Sequence, residues 1–336
     1  MTVDTTTFLV ALYTIVDDLY KAKIAPLRTE RRGRPAEVSD SEVLTLMVLA
    51  QWLKVGERGL LRYVRENWHS YFPRLLSQSA FNRRARRLAG VLMRLIADVA
   101  AELGSQFAVY QVLDTVPVPL MRRCRGEKRR LFAEEADIGR GGSDRQWYYG
   151  CQLLVATTDQ GVITGFVLGP SATEERWLAE SLFCWRIDRD GEIVDPQALP
   201  KSHKRGGQHV GPTGPIWPPD AVGLPACVPY LADDGFSGAF WFEHWRRDYG
   251  AIVLTPSSYS GDEAERARRE HRGWKQIIES IIGQLEDVFA LAYPGARTMW
   301  GLLTRVAAKL LALNLGIWLN RLFGRDDLAL ATLFNS

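Results

Sequence analysis

The chain is poor in the residues that build metal sites and disulfide scaffolds. Its 336 residues include four cysteines and five histidines. Cys124, Cys151, Cys184 and Cys227 stand far apart with no C-x-x-C pair, and His69, His203, His209, His244 and His271 show no ligand spacing. This argues against a structural zinc site and for reduced thiols. An uninterrupted apolar run of membrane-spanning length is also missing. The most apolar late stretch, 301–323, contains Arg305, Lys309 and Asn314, which suits an amphipathic helix better. The first ten residues carry Asp4 and no basic cluster, unlike a secretory leader. Short repeats and low-complexity tracts are absent, which argues against solenoids and disordered arrays. The expectation is a soluble, cytoplasmic protein.

Strong net charge is lacking too, at a formal +3, but it is unevenly spread: residues 1–105 hold 16 Lys or Arg against 11 Asp or Glu. Such an excess fits a polyanionic partner, and solvated helix faces give the same signal.

What is present falls into two regions. Residues 1–105 read as helical. The apolar rhythm from Phe8 to Leu19 has a helical period, and a basic linker follows at Arg28, Arg31, Arg32, Arg34 and Pro35. Ser39 with Glu42 makes a capping box that opens an apolar helix. Shorter helices follow over 59–66 and 79–88, then a longer one over 90–103, a set that could pack as a helix-turn-helix-like DNA-binding module. From residue 106 the period changes, and residues 106–325 form the second region. Strands are expected over 107–114, 147–158, 162–168, 228–232 and 251–256. Helices are expected over 174–185, 238–249, 263–291 (broken near 271–273) and 297–323. That order suits an α/β fold with a mixed sheet flanked by helices. Half of the chain's 16 prolines fall in the aperiodic segment 186–229, which reads as an insertion.

Three carboxylates stand in strongly apolar settings. Asp114 closes the strand VYQVLD, Asp233 follows the strand VPYLA, and Glu279 sits in the helix WKQIIESIIGQL. An Asp at a strand end is usually a turn or cap residue, and Asp233 with Asp234 could be no more than a turn. A Glu on an apolar helix usually marks the edge of its buried face. Converging at one end of a sheet, however, the three would repel each other unless a cation neutralised them, and hard oxygen donors favour magnesium or manganese.

The blocks LDTVPVP, LADDGF and the K-x-x-x-E of WKQIIESIIGQL resemble the three motifs of bacterial insertion-sequence transposases of the DDE type. YGCQLLVATTDQGVITGFVLGPSATEE resembles that family's strand pair and following turn. SDSEVLTLMVLAQWL and LLTRVAAKLLALNLGIWLNRLF resemble its flanking helices. The likeness covers most of 38–323 outside the proline-rich segment. Lys275 falls where the family commonly has Arg, whereas Arg272 and Glu286 replace Tyr and Lys, and SATEE replaces a turn with Asn and His.

The resemblance implies a ribonuclease-H-like domain in which Asp114, Asp233 and Glu279 are the catalytic, metal-holding triad for two Mg2+ or Mn2+ ions. The activity would be cleavage at transposon ends and strand transfer into target DNA, by a homodimer near the nucleoid. DNA-backbone contacts are expected from Lys275, from Arg122, Arg123, Arg125, Lys128, Arg129 and Arg130, and from Arg83, Arg84, Arg86 and Arg87, although solvated faces explain both clusters equally well. Trp147, Tyr148 and Tyr149 could stack on bases, but core positions suit them better. A nuclease of the same fold without strand transfer, and a non-catalytic DNA-binding derivative, remain alternatives.

Overall fold

The computed structural model describes residues 3–27, 36–126, 132–133, 135–141, 146–187, 228–262 and 264–334. The proline-rich insertion therefore lies almost wholly outside the described residues, as do the basic linker and Lys128, Arg129 and Arg130.

The chain divides into two compact units. One comprises Met1–Val99, Gly283–Leu291 and Trp300–Ser336; the other comprises Ala100–Ile282 and Ala292–Met299. The last long helix thus belongs with the amino-terminal helices, not with the sheet.

The helical unit begins with α1 (Thr5–Leu19), N-capped by Asp4, and continues into one π-helical turn, Tyr20–Ile24. In α2 (Asp40–Trp52) the capping box forms as its sequence implies: Ser39 Oγ accepts from Glu42 N, and Glu42 Oε2 accepts from Ser39 N. Then come α3 (Glu57–Asn67), α4 (Gln78–Arg87) and α5 (Ala89–Glu102), the last of which continues into the second unit. α2 is buried almost all round, which its near-continuous apolar sequence dictates. Phe8 packs edge-on against Trp52, and Trp52 against Phe289. The last helix, α10 (Met299–Leu322), has the length and composition of a membrane span. It is instead a core helix, with 89% of its most apolar window buried.

Buried α10 carries Lys309, whose Nζ donates to Phe289 O (2.5 Å) and Gln51 Oε1 (3.0 Å). Burial, with a smaller push from Arg305, lowers its ammonium from 10.5 to about 8. Between those two values the unfolded chain binds more protons than the folded one, so stability rises with pH there. Relative to Lys309→Met, which cannot titrate, the wild type should gain stability from about pH 8 to pH 10. Denaturant midpoints of both proteins across that range check the sign, and parallel profiles would refute it.

The second unit holds a six-stranded sheet, ordered β2-β3-β1-β5-β6 with β4 also pairing β3. β1 (Gln111–Arg122) leads through α6 (Arg123–Gly126) to β2 (Asp137–Gly141), then β3 (Gln146–Thr158) and β4 (Ile163–Pro170). After α7 (Glu175–Ile187) come β5 (Tyr230–Leu231), α8 (Ala239–Tyr249), β6 (Val253–Leu254) and α9 (Ala264–Asp287). β1, β5 and β6 run parallel; β3 is antiparallel to β1, β2 and β4. This is a mixed α/β fold with a mixed open sheet flanked by helices.

Four details differ from the sequence reading. β1 does not end at Asp114 but runs on through Pro117 and Pro119, paired with Gln152 and Gly150 of β3. Its prolines cost no ladder bond, because residues of that parity turn their backbone away from β3, as Gln111 does in donating to Pro229 O. β2 was not anticipated, since DIGRG has no apolar alternation. β5 and β6 are two residues each, shorter than their apolar runs. Finally, α9 is continuous through His271–Gly273, because His271 is fully buried and bonded, and the space around Gly273 is open.

Candidate active site

Strand alternation sorts β1 and β5 onto two faces. Val112 and Leu231 pack with Ile278 of α9 on one face. Leu113, Tyr230 and Ala232 pack on the other with Trp177, Leu178 and Phe183 of α7 and Trp241 and Trp245 of α8. Val112 pairs with Leu231 in the parallel ladder, so Asp114 and Asp233, each two residues further on, leave neighbouring strands at the same level and toward α9.

α9 meets them there. Lys275 Nζ lies 3.6 Å from Asp114 Oδ2 and 3.9 Å from Asp233 Oδ2. One turn earlier, buried His271 ties the helix to the strand end. Burial keeps its imidazole below the usual histidine range; Nε2 donates to Ala232 O (2.9 Å) and Nδ1 accepts from Tyr259 Oη (3.1 Å). The remaining oxygens of both aspartates are used locally: Asp114 Oδ1 accepts from Thr115 N (2.8 Å), and Asp233 Oδ1 from Gly235 N (3.0 Å). Asp233 is therefore both the cap of a short turn and a site carboxylate, while Asp234 Oδ1 accepts from Ser257 N (3.0 Å).

A third acid reaches this place from the opposite face. Glu175, in the first turn of α7, accepts through Oε1 from Thr115 Oγ1 (2.7 Å), whose own acceptor site is filled by Gln152 Nε2 (2.8 Å). Because the amide donates to Thr115, the hydroxyl hydrogen is free to point at Glu175. Glu175 Oε2 sits so close to Gly235 that a Cβ there would meet it at 1.9 Å. Gly235 is thus required for close approach and not for a left-handed turn, since the positive φ of this segment belongs to Gly238 (141°). Burial raises Asp114, a rise that Lys275 opposes and Asp233 reinforces; burial, then Asp233, likewise raises Glu175. Three carboxylates against one ammonium leave uncompensated negative charge.

The sequence-derived residues are only partly gathered. Asp114, Asp233 and Lys275 come together. Glu279, one turn beyond Lys275, is exposed, and among the described residues no hydrogen bond or ion pair holds it. Arg84 is drawn into an ion pair with Asp40 (2.5 Å) and a bond to Val38 O, while Arg83, Arg86 and Arg87 are exposed. Arg122 is exposed at the end of β1. Arg123 lies over the Trp147 ring at 5.2 Å, with Arg140 at 5.8 Å. Arg125 is on α6, its side chain outside those described. Tyr148 and Tyr149 are core residues, as expected, but Trp147 is 54% exposed. Glu175 was missed: its signal, a Glu at the start of a helix just after a strand, is also that of an ordinary first-turn acid.

Among the described residues, no three His, Cys, Asp or Glu side chains form a group that could enclose an ion. The Asp114–Asp233 pair nevertheless has the chemistry for one hard divalent cation, since two carboxylates already face one shared positive charge. Comparison with family models, with curated proteins and with solved structures finds no match.

Proposed function

We propose that this chain is a DNA transposase of the DDE type, cleaving transposon ends and joining them to target DNA on a ribonuclease-H-like domain. The observation that carries the reading is the placement of Asp114 and Asp233 at one level of adjacent parallel strands, with α9 bringing Lys275 over both. The sheet order, an antiparallel set continued by two short parallel strands, supports the same fold family.

Asp114 and Asp233 would hold the cation, with Glu279 as the third acid that the motif supplies. When bound, magnesium or manganese activates water or a 3′-hydroxyl and stabilises the leaving oxygen. Lys275, displaced from the carboxylates, is then free to pair with a phosphate. His271 fixes the carbonyl just before Asp233, and so the height of that carboxylate. Joining two ends calls for two copies of the chain.

The test is incubation with DNA carrying the flanking terminal repeats, in magnesium, manganese or EDTA. Metal-dependent nicked and joined products are expected. Cleavage without joining would assign a nuclease, and no cleavage with either metal would sink the reading.

Glu175→Gln keeps the shape and the bond from Thr115 but removes a charge beside Asp233. It should weaken Mn2+ binding, followed by electron paramagnetic resonance, about 10–100-fold. An unchanged affinity would reduce Glu175 to a structural brace.

A further inference from the structure

Outside the acidic site, the helical unit contains a cationic groove. Arg58, Arg62 and Arg65 of α3 line a depression of about 490 Å³ with Gly59 and Leu61, and Gln78, the first residue of α4, closes its far wall. The three arginines recur at helical spacing, so they share one side of α3. All three are exposed, and among the described residues none is engaged by a carboxylate. Of the two glutamates on their helix, Glu57 is taken by Arg305 (2.5 Å), and exposed Glu66 makes no ion pair with them among the described residues.

The surroundings reinforce this charge. Residues 57–87 contain eight arginines, no lysine and two acids, both glutamates, so this short stretch holds a larger positive excess than the +3 of the entire chain. Exposed cations normally scatter among anions, and an uncompensated cluster raises the local potential. Guanidinium forks match phosphate oxygens two at a time, which favours arginine over lysine for this ligand. Ser77 caps α4 by accepting from Ala80 N, and the α4 amino-terminus adds its partial positive charge to the same wall.

We propose that the α3–α4 groove seats the phosphate backbone of duplex DNA, with Arg58, Arg62 and Arg65 as its contacts. The proposal deepens the transposase reading by naming a surface that holds DNA away from the carboxylates. These arginines differ from the α4 cluster singled out in the sequence, of which Arg84 is committed to Asp40.

The experiment measures binding of a labelled random-sequence DNA duplex in EDTA by fluorescence anisotropy, from 50 to 200 mM salt. It compares wild type, Arg58→Gln/Arg62→Gln/Arg65→Gln, the corresponding triple lysine variant, and Arg246→Gln/Arg247→Gln/Arg266→Gln. The last removes the same charge from exposed arginines already paired with Glu243, Asp248 and Glu270. The groove triple should lose affinity about tenfold or more, and its log–log salt slope should shrink by about 2.7. The lysine variant should keep the salt slope and recover part of the lost affinity, short of the arginine wild type, and the control triple should stay near wild type.

Equal losses in the groove and control triples would overturn the proposal, as would an unchanged groove triple. Tighter binding of duplex RNA through the same arginines would overturn the DNA assignment. Because binding is read in EDTA, it separates from the chemistry: cleavage by a chain whose groove triple binds normally would leave the transposase reading standing and remove the groove.

Discussion

Asp114→Asn and Asp233→Asn are each expected to lower metal-dependent DNA cleavage by at least about 10²–10³-fold, while duplex binding in EDTA stays close to wild type. The separation follows from how each carboxylate is used. Oδ1 serves the local backbone, accepting from Thr115 N or Gly235 N, and the other oxygen faces Lys275. Asparagine can keep the first role and loses the charge needed for the second. The fold should therefore survive, as a melting curve would show. Burial raises Asp114 and Glu175, so protons compete with the cation. Divalent affinity should climb with pH through and just above the carboxylate range, and less steeply in Asp114→Asn. Glu279→Gln belongs in the same assay. A loss as large as that of the aspartates would show that the exposed Glu279 joins them once DNA is bound. Full cleavage by either aspartate variant would show that the site has been misplaced.

The second large effect lies in the core. Glu180 of α7 is fully buried and accepts from Trp245 Nε1 (2.6 Å) and Tyr249 Oη (2.5 Å), and its Oε1 lies 2.8 Å from His244 Nε2. His244 Nδ1 in turn lies 2.6 Å from Asp248 Oδ2, and Arg247 pairs with that same carboxylate. A carboxyl group this deep is tolerable because three groups converge on it, and burial together with Glu180 pushes the Tyr249 phenol well up. Glu180→Ala strips all three of their partner and should cost about 3–5 kcal/mol. Glu180→Gln turns an amide toward at least one donor and should cost about 1–3 kcal/mol. Denaturant unfolding followed by tryptophan fluorescence measures both, and a loss below about 1 kcal/mol for alanine would refute the network's role.

Local signals made much of this legible. The Ser39–Glu42 box, the apolar face of α1 and the apolar runs of β3 and β4 on either side of a short turn act within a turn or a hairpin, so neighbouring residues report them. Asp114 and Asp233 could be read because each follows an apolar strand. Three features could not be read. Glu175 reaches the site through Thr115 and Gly235, both remote in sequence. The partner of Arg84 is Asp40, more than forty residues away. Lys309 hides in a helix whose polar residues suggested a wet face, yet its ammonium is spent on a main-chain carbonyl and an amide. Each depends on tertiary pairing, which periodicity does not encode.

β1 has a further consequence for solubility. Beyond Val112, β5 ends, and among the described residues no other strand pairs that edge of β1, normally an invitation for another chain to add on. Few donors remain along that edge. The Thr115 amide is turned onto Asp114, Pro117 and Pro119 have none, and the Pro119 carbonyl already accepts from Tyr293 N. The prolines that disguise this strand in the sequence therefore also guard it, and replacing them would open a seam for intermolecular aggregation beside the carboxylates.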